Sequence, residues 1–342
     1  MKGLVYSRHG SPDVLEIKDV EEPVPKDNEV LIEVRAASVN PLDASLIKGM
    51  PYIVRALFGL PKPKDTRLGV DVAGHLEAVG RNVTQFKPGD EVFGVSISDP
   101  QASAVKVWTP QGAFAEYVCA PESTLVVKPN NVTFEQAASV PVAGLTALQG
   151  LRDKGHIQPG QKALINGAAG GVGTFAVQIA KSFGAEVTGV CSTRNMEMVR
   201  SIGADQVIDY TQEDFTKRGQ RYDLIFDCVG NHSLSACRRV LNLKGITVMV
   251  GDLTGRGMIG ILARLITAFV LSLFGSQKFV TFLARPSKDD LTVMHDLMKA
   301  GKVRPVIDKR YKLSEVPAAI RYLAQKHARG KIVITLGSND KS

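Results

Sequence analysis

A glycine-rich stretch at residues 167–173, Gly-Ala-Ala-Gly-Gly-Val-Gly, is the part of this sequence whose residue types point most directly to chemistry. It follows the apolar run 163–166 and precedes residues 172–183, where apolar side chains recur at helical spacing. Glycines let backbone N–H groups approach a pyrophosphate, which the positive N-terminal end of the following helix stabilises. The order strand, glycine turn, helix predicts a dinucleotide site; the alternative is a glycine-rich turn that binds nothing.

The residues after the next predicted strand, 186–190, indicate which dinucleotide binds. An NAD site usually has Asp or Glu there, and its carboxylate binds the ribose hydroxyls. This chain has Ser192, Thr193 and Arg194 instead. Because a guanidinium holds phosphate through several N–H donors, these residues favour NADPH, with its 2′-phosphate, over NADH. The alternative interpretation of Arg194 is a solvated side chain near the start of a helix.

The composition is that of a globular protein with an excess of basic residues. The chain has 342 residues, 44% of them apolar, and a net charge of +8 at pH 7. Its length fits two domains better than one. The basic residues are scattered, so we expect no nucleic-acid binding. Four cysteines without a Cys-x-x-Cys pair, and no signal peptide, indicate reduced thiols in a cytoplasmic protein.

The spacing of apolar residues divides the chain into a mostly β part and an α/β part. In the first part, strands between turn signals are predicted at 1–6, 29–34, 69–80, 91–95 and 112–118. From about residue 134, strands at 163–166, 186–190, 206–208, 224–227 and 245–250 alternate with helical patterns such as 172–183 and 196–201. This alternation predicts parallel strands with helices on both faces. A helix at 287–300 and a strand at 331–336 are expected to rejoin the first domain.

The apolar segment 257–274 departs from this pattern. It approaches the length of a membrane span, but Arg264 lies inside it and a glycine-rich turn precedes it, so we do not expect it to cross a bilayer. One interpretation is a helix that lines the substrate cleft or a subunit interface. The other is a flap that binds lipophilic quinone tails or contacts a membrane surface.

Several different motifs occur along the chain: residues 37–43 (Ala-Ser-Val-Asn-Pro-Leu-Asp), 69–74 (Gly-Val-Asp-Val-Ala-Gly), 87–90 (Lys-Pro-Gly-Asp), 141–147 (Pro-Val-Ala-Gly-Leu-Thr-Ala), the glycine turn, 203–205 with 209–210, and 327–331. With them the chain resembles the medium-chain dehydrogenase/reductases, and among these the zinc-lacking quinone oxidoreductases with their mitochondrial reticulon-interacting and chloroplast-envelope homologues. The resemblance implies an α/β fold: a Rossmann-type doubly wound parallel sheet over 128–286, plus a mostly β, GroES-like barrel domain from 1–127 and 287–342.

The resemblance also implies a reaction without a metal. Zinc-dependent relatives have a Cys in place of Asn40 and a His-Glu pair in place of Val70 and Asp71, and valine cannot ligate zinc. The four-cysteine structural lobe of those relatives is missing as well. We therefore expect the nicotinamide to deliver a hydride directly to an electron-poor carbon of a quinone or an α,β-unsaturated carbonyl.

Three residues are candidates for the reacting end of the site. Asn40 matches the active-site asparagine of the family, whose amide can donate to the oxygen on which negative charge develops; the alternative is a turn asparagine before proline. Asp43, like Asp71, is expected to shape the site or form an ion pair. Tyr52 is a candidate proton source or stacking residue, with a packed tyrosine as the alternative; water can also supply the proton.

The remaining predicted residues contact the cofactor. By resemblance and position they are Thr146 on the nicotinamide side, Ala169, Gly170, Gly171, Val172 and Gly173 at the pyrophosphate, Ser192, Thr193, Arg194 and Tyr210 around the adenosine phosphate, and Lys331 on the cofactor side. For Tyr210 the alternative is ordinary packing at a strand end.

Three functions stay open at this point. The first is an NADPH-dependent quinone or enone reductase, expected to form a homodimer. The second is an alcohol dehydrogenase-like activity, disfavoured because no zinc ligands are present to polarise a carbonyl. The third is an NADPH-binding redox sensor or structural protein with little turnover. Turnover of NADPH with a panel of quinones and enals separates the first function from the third.

Overall fold

The computed structural model describes residues 1–49, 63, 66–98, 109–250, 258–273, 275–325 and 327–337. The chain forms two compact units. The first consists of Met1–Leu145, Arg285–Gly301 and Pro305–Ser342, and the second of Thr146–Ala284 and Lys302–Arg304.

The elements follow the chain in this order. The strands are β1 Lys2–Tyr6, β2 Leu15–Asp19, β3 Glu29–Val39, β4 Asp71–Val79, β5 Glu91–Val95, β6 Tyr117–Pro121, β7 Leu125–Val127, β8 Lys162–Asn166, β9 Glu186–Cys191, β10 Gln206–Asp209, β11 Tyr222–Asp227, β12 Leu241–Met249, β13 Lys278–Thr281, β14 Ile307–Lys312 and β15 Lys331–Thr335. The α-helices are Pro41–Lys48, Phe134–Ala138, Pro141–Gln149, Gly171–Ser182, Met196–Ser201, Leu234–Arg239, Met258–Leu273, Lys288–Lys299 and Val316–Ala324. Short 3-10 turns occupy Pro12–Val14, Glu122–Thr124, Thr193–Asn195, Phe215–Lys217 and Leu313–Glu315, and a π-helical turn occupies Gly150–Lys154.

The first unit is built on one large, mostly antiparallel sheet. Its strand order is β14-β15-β3-β4-β5-β7, and β6 pairs with β3 beyond this path. The long strand β3 alternates in sequence, and its apolar side chains Val30, Ile32 and Val34 are buried in the core. Where β3 ends, Ser38 lies opposite Asp71 of β4 and opposite Val333 of β15. Three strands separated by long stretches of sequence therefore meet at one place.

Residues 128–145 belong to the first unit, whereas they were predicted to belong to the dinucleotide-binding domain, 128–286. The helix Phe134–Ala138 explains this difference. Its N-terminus is capped reciprocally by Thr133 and Gln136, and it packs on β3, β4 and β5.

The strand predicted at 112–118 is shorter than expected. Gly112 has φ +105°, a left-handed conformation that interrupts an extended strand, and Ala115 makes only an isolated bridge to Gly3. The regular strand β6 begins at Tyr117. The prediction for residues 112–116 was therefore wrong.

The second unit contains a six-stranded parallel sheet in the order β10-β9-β8-β11-β12-β13. The order reverses between β8 and β11, so the chain winds outward in both directions from these two central strands. Leu164 of β8 and Ile225 of β11 are fully buried, as expected for strands covered on both faces. The predicted doubly wound parallel sheet is confirmed.

The apolar segment 257–274 forms the helix Met258–Leu273, as expected. One side of this helix packs on the second unit through Arg264 and Ala268, which are buried. The Arg264 guanidinium donates to the carbonyl oxygen of His232 at 3.0 Å and to the Asp227 carboxylate at 3.4 Å. None of the described helices has both the length and the apolar character that crossing a bilayer requires.

Candidate functional site

The glycine turn lies where the predicted strand, turn and helix meet. Strand β8 ends at Asn166, and the helix Gly171–Ser182 begins after Gly170, which occupies its N-cap position. Gly167 has φ +86°, and the N–H groups of Gly167 and Ala168 donate to the carbonyl oxygen of Val190 in β9. The turn is thereby tied to the carboxyl ends of β8 and β9, and open α/β sheets bind their ligands at the carboxyl ends of their strands.

Two glycines of the turn are needed for different reasons. A Cβ atom on Gly173 would lie 2.0 Å from the carbonyl oxygen of Gly167, so the close packing of helix against turn excludes any side chain there. A Cβ on Gly170 would meet only that same oxygen, at 3.4 Å, because the space above Gly170 is otherwise open. An open surface over the first N–H groups of a helix suits a pyrophosphate.

The residues predicted to bind the adenosine phosphate follow β9 directly. Ser192 precedes the 3-10 turn Thr193–Asn195, and both Thr193 and Arg194 are exposed. The Thr193 hydroxyl donates to the carboxylate of Asp209 at the end of β10, and this bond, more than any other contact, holds the pKa of Asp209 below its ordinary value. Asp209, whose carboxylate fixes Thr193 in place, is not among the predicted site residues.

Tyr210 borders a surface cavity of about 480 Å³ in the second unit. The ring is 58% exposed, and Asn231 and His232 line the same cavity. Because these residues follow the carboxyl ends of β10 and β11, the cavity opens at the edge of the sheet that carries the glycine turn. The packed alternative for Tyr210 does not fit this exposure.

The first unit holds a buried polar network around Asn40. The Asn40 amide donates to Asp71 Oδ2 at 2.9 Å and to the carbonyl oxygen of Ser38 at 3.3 Å, and its Oδ1 accepts from Lys331 Nζ at 2.7 Å. Asp71 accepts further bonds from the Ser38 hydroxyl at 2.5 Å, the backbone N–H of Val142 at 2.9 Å and Lys331 Nζ at 3.3 Å. Both hydrogens of the amide are thus engaged in this structure, so donation to an acceptor requires that one of them be redirected.

Asp43 secures the backbone around Asn40. One carboxylate oxygen accepts from the N–H of Asn40 at 2.7 Å, which closes the first turn of the helix Pro41–Lys48, and the other accepts from the N–H of Gly69 at 3.2 Å. Burial raises the pKa of Asp43 to about 7, although these bonds act in the opposite direction. The geometry fits a positioning role better than contact with substrate.

Lys331 lies in the first unit, where its side chain contacts Asn40 and Asp71. Its side chain is 4% exposed, and Nζ donates to Asn40 and Asp71. An ammonium has three N–H donors, so one remains beyond these two bonds. Thr146 is half-buried in the helix Pro141–Gln149. Tyr52 lies outside the described residues.

The two residues predicted to stand in place of a zinc-binding His-Glu pair are buried. Val70 and Asp71 both have no exposed surface. Within the ranges that the structure describes, no group of three or more His, Cys, Asp or Glu side chains is arranged to hold a metal ion. The zinc-free mechanism stays a prediction that rests on Asn40 and Val70.

Two family models match this chain. Residues 26–130 match the alcohol dehydrogenase GroES-like domain, and residues 202–334 match the model described as zinc-binding dehydrogenase. Together with the two sheets, they confirm the predicted fold class of a Rossmann-type sheet plus a mostly β, GroES-like domain.

Named relatives align over nearly the whole chain. The chloroplast envelope quinone oxidoreductase homolog of Arabidopsis thaliana is 35% identical over 98% of this chain and 98% of its own length. The chloroplastic NADPH-dependent alkenal/one oxidoreductase of the same plant is 34% identical over 98% of this chain and 79% of its own length. The structure of the quinone oxidoreductase from Coxiella burnetii superposes with a TM-score of 0.84 at 31% identity, covering 98% and 99% of the two chains. The chain is therefore an oxidoreductase that belongs to the quinone oxidoreductase branch of the medium-chain dehydrogenase/reductase family.

Proposed function

We propose that this protein is a zinc-independent, NADPH-dependent oxidoreductase that transfers a hydride to a quinone or an α,β-unsaturated carbonyl. The observation that carries the proposal is the glycine turn, with open space over Gly170 and with Ser192, Thr193 and Arg194 after the adjacent strand. Two relatives, a quinone oxidoreductase homolog and an NADPH-dependent alkenal/one oxidoreductase, support the acceptor class and the cofactor.

The second unit binds NADPH in this proposal. Residues 169–173 hold the pyrophosphate through backbone N–H groups, and Arg194 and the hydroxyls of Ser192 and Thr193 hold the 2′-phosphate. Tyr210 covers the adenosine, while Thr146 and Lys331 are further cofactor contacts. When bound, the nicotinamide supplies the hydride.

The first unit stabilises the negative charge that develops on the acceptor oxygen. Of the two Asn40 amide bonds, the one to the Ser38 carbonyl is longer, at 3.3 Å, and lacks a charged partner, so this N–H is the one redirected to the acceptor. The bonds to Asp71 and Lys331 then keep the amide in place. Asp43 acts as a positioning residue, and water is the proton donor.

A comparison of cofactors tests the proposal. We expect NADPH oxidation with members of a panel of quinones and enals, and Arg194→Ser should raise the KM for NADPH by about 10- to 100-fold while the KM for NADH changes little. Arg200→Ser is the matched control, because Arg200 is also exposed and lies on the next helix. Equal effects on both cofactors would contradict the NADPH assignment. Tight NADPH binding without turnover of any acceptor would favour the redox sensor or structural protein instead.

The homodimer and the cytoplasmic location are also proposals. Among the described strands, β10 and β13 form the two edges of the parallel sheet, and an edge strand can extend pairing into a second copy. Sedimentation at several protein concentrations checks the dimer. Imaging of the tagged chain in cells checks the location, which differs from that in the names of the two chloroplast relatives.

A further inference from the structure

The helix Met258–Leu273 presents a continuous apolar stripe away from the body of the second unit. Its members are spaced four, three, one and three residues apart, which places them on one side of an α-helix. Each is between 42% and 65% exposed: Leu262, Ile266, Phe269, Val270 and Leu273. We call these five residues the apolar stripe. A set of this size on one helix exceeds the single exposed apolar side chains that are normal on a protein surface.

The helix is held firmly enough to present this stripe. Ala268 belongs to the core of the second unit together with Phe279 of β13, and the Ser272 hydroxyl accepts from the N–H of Phe279 at 3.1 Å. The buried Arg264 anchors the same side of the helix to the Asp227 carboxylate. Arg264 and Ala268 thus lie on the buried side of the helix, and the apolar stripe lies on its exposed side.

Basic side chains lie at the C-terminal end of the stripe. The turn that follows the helix is bound to the end of the helix Leu234–Arg239 and to the start of β12, because the Gln277 amide donates to the carbonyl oxygens of Arg238 and Leu241 at 3.1 and 3.0 Å. The Ser276 hydroxyl donates to the carbonyl oxygen of Leu243, an apolar residue that is itself exposed. Exposed Lys244 follows Leu243, and exposed Lys278 begins β13.

Three exposed basic residues, Arg239, Lys244 and Lys278, lie on the elements that hold this end of the helix. A bilayer with anionic headgroups offers both an apolar phase for the stripe and the opposite charge for Arg239, Lys244 and Lys278.

We propose that the helix Met258–Leu273 docks this protein on anionic membrane surfaces, with the apolar stripe entering the headgroup boundary and the flanking lysines contacting lipid phosphates and carboxylates. The inference goes beyond the proposed reductase function, and it depends neither on NADPH nor on the acceptor. A docked protein would work beside the phase in which lipophilic acceptors dissolve.

Flotation of the whole protein with lipid vesicles tests the docking. We expect the protein to float with phosphatidylcholine vesicles that contain about 30 mol % phosphatidylserine and to remain largely unbound with pure phosphatidylcholine. Ile266→Ser with Phe269→Ser and Leu273→Ser should lower the bound fraction at least about tenfold, because three apolar side chains no longer enter the bilayer. The matched control replaces three exposed apolar residues of the first unit, Ile17, Val24 and Val127, with serine and should float like the parent.

A charge variant tests the second half of the proposal without touching the stripe. Lys244→Glu with Lys278→Glu should weaken flotation with the anionic vesicles about tenfold or more, and about 0.5 M salt should weaken flotation of the parent. Lys299→Glu with Lys302→Glu changes the net charge equally at two other exposed lysines and should have little effect. This pair keeps the proposal testable if the triple serine variant does not fold.

Three results would overturn the proposal. They are failure of the parent protein to float with anionic vesicles, equal flotation of the serine variant, and equal flotation with neutral and anionic vesicles. Sedimentation identifies the competing occupant: if the serine variant turns a dimer into a monomer and the parent does not float, the stripe is a subunit interface. NADPH oxidation by the serine variant should equal that of the parent in detergent-free buffer, which separates a failed docking proposal from a failed functional one.

Discussion

Replacing Lys331 with methionine tests whether the buried network around Asn40 holds the first unit together. Lys331 and Asp71 are 4% and 0% exposed, and Nζ lies 3.3 Å from Asp71 Oδ2. Methionine is similar in length and apolar, so Lys331→Met removes the charge while largely filling the space. The variant leaves Asp71 as a buried carboxylate without its cation.

The expected loss of stability follows from what remains around Asp71. Breaking a buried ion pair from one side costs about 3–5 kcal/mol. In this protein Asp71 would keep three donors, the Ser38 hydroxyl, the Asn40 amide and the N–H of Val142. These bonds offset part of the desolvation, while Asn40 Oδ1 loses its short bond from Nζ. We therefore expect the free energy of unfolding to fall by about 3 kcal/mol, near the lower end of that range.

Urea unfolding followed by far-ultraviolet circular dichroism measures this loss. Lys2→Met is the matched control, because its ion pair with Asp19 is exposed on both sides and should contribute little to stability. The double variant Lys331→Met with Asp71→Asn carries no unpaired charge. Its loss should be smaller than the sum of the two single losses by about 2 kcal/mol.

Two outcomes would refute this reasoning. If Lys331→Met costs no more than Lys2→Met, the Lys331 ammonium is not part of a buried pair in solution. If the losses of the two single variants simply add in the double variant, Lys331 and Asp71 do not interact energetically. Either result would also remove the support for an oriented Asn40 amide.

Further predictions address the glycine turn, a buried carboxyl group and the thiols. Gly170→Ala should raise the Kd for NADPH about tenfold at an unchanged melting temperature. Gly173→Ala should instead lower the free energy of unfolding by more than about 2 kcal/mol, because its Cβ would overlap the Gly167 carbonyl; equal effects of the two substitutions would contradict the different roles of the two glycines. Because burial raises the pKa of Asp43 from 3.8 to about 7, the folded state keeps a proton that the unfolded state loses, so stability falls as pH rises through this window. The unfolding free energy of Asp43→Asn relative to the parent should therefore rise between pH 4 and pH 7, by at most roughly 4 kcal/mol, and a pH-independent difference would contradict this. Burial raises the pKa of Cys119 to about 12 and of Cys191 to about 11, so both thiols should react with Ellman's reagent at pH 8 only after unfolding.

Local patterns predicted several elements in both units well. The strand Glu91–Val95 and the helix Met196–Ser201 occur with the bounds read from the sequence, and the glycine turn connects a strand to a helix as expected. These features depend on neighbours in sequence: the turn before the strand, the apolar spacing of the helix, and the conformational freedom of Gly167. At these positions the local sequence preferences agree with the tertiary structure, so the local pattern alone was sufficient for the prediction.

The network around Asn40 shows what the sequence could not supply. Lys331 is 291 residues from Asn40, and no periodicity connects the two; only the pairing of β15 with β3 brings them together. The helix Pro41–Lys48 was overlooked although its start carried recognisable signals, an asparagine before Pro41 and an acidic residue at Asp43. The role of Asp209 was missed because its partner Thr193 lies on a different strand end.

The position of β15 in the first sheet also determines when that sheet can be completed during synthesis. On the ribosome, the main segment of the second unit, Thr146–Ala284, emerges before β15 has been made. Until then, residues 36–39 of β3 can pair with β4 on one side but lack β15 on the other, and they present an open sheet edge. The strands of the parallel sheet are therefore all available on the nascent chain before the first sheet can be completed, and we expect the open edge of β3 to be a site of aggregation until β15 pairs with it.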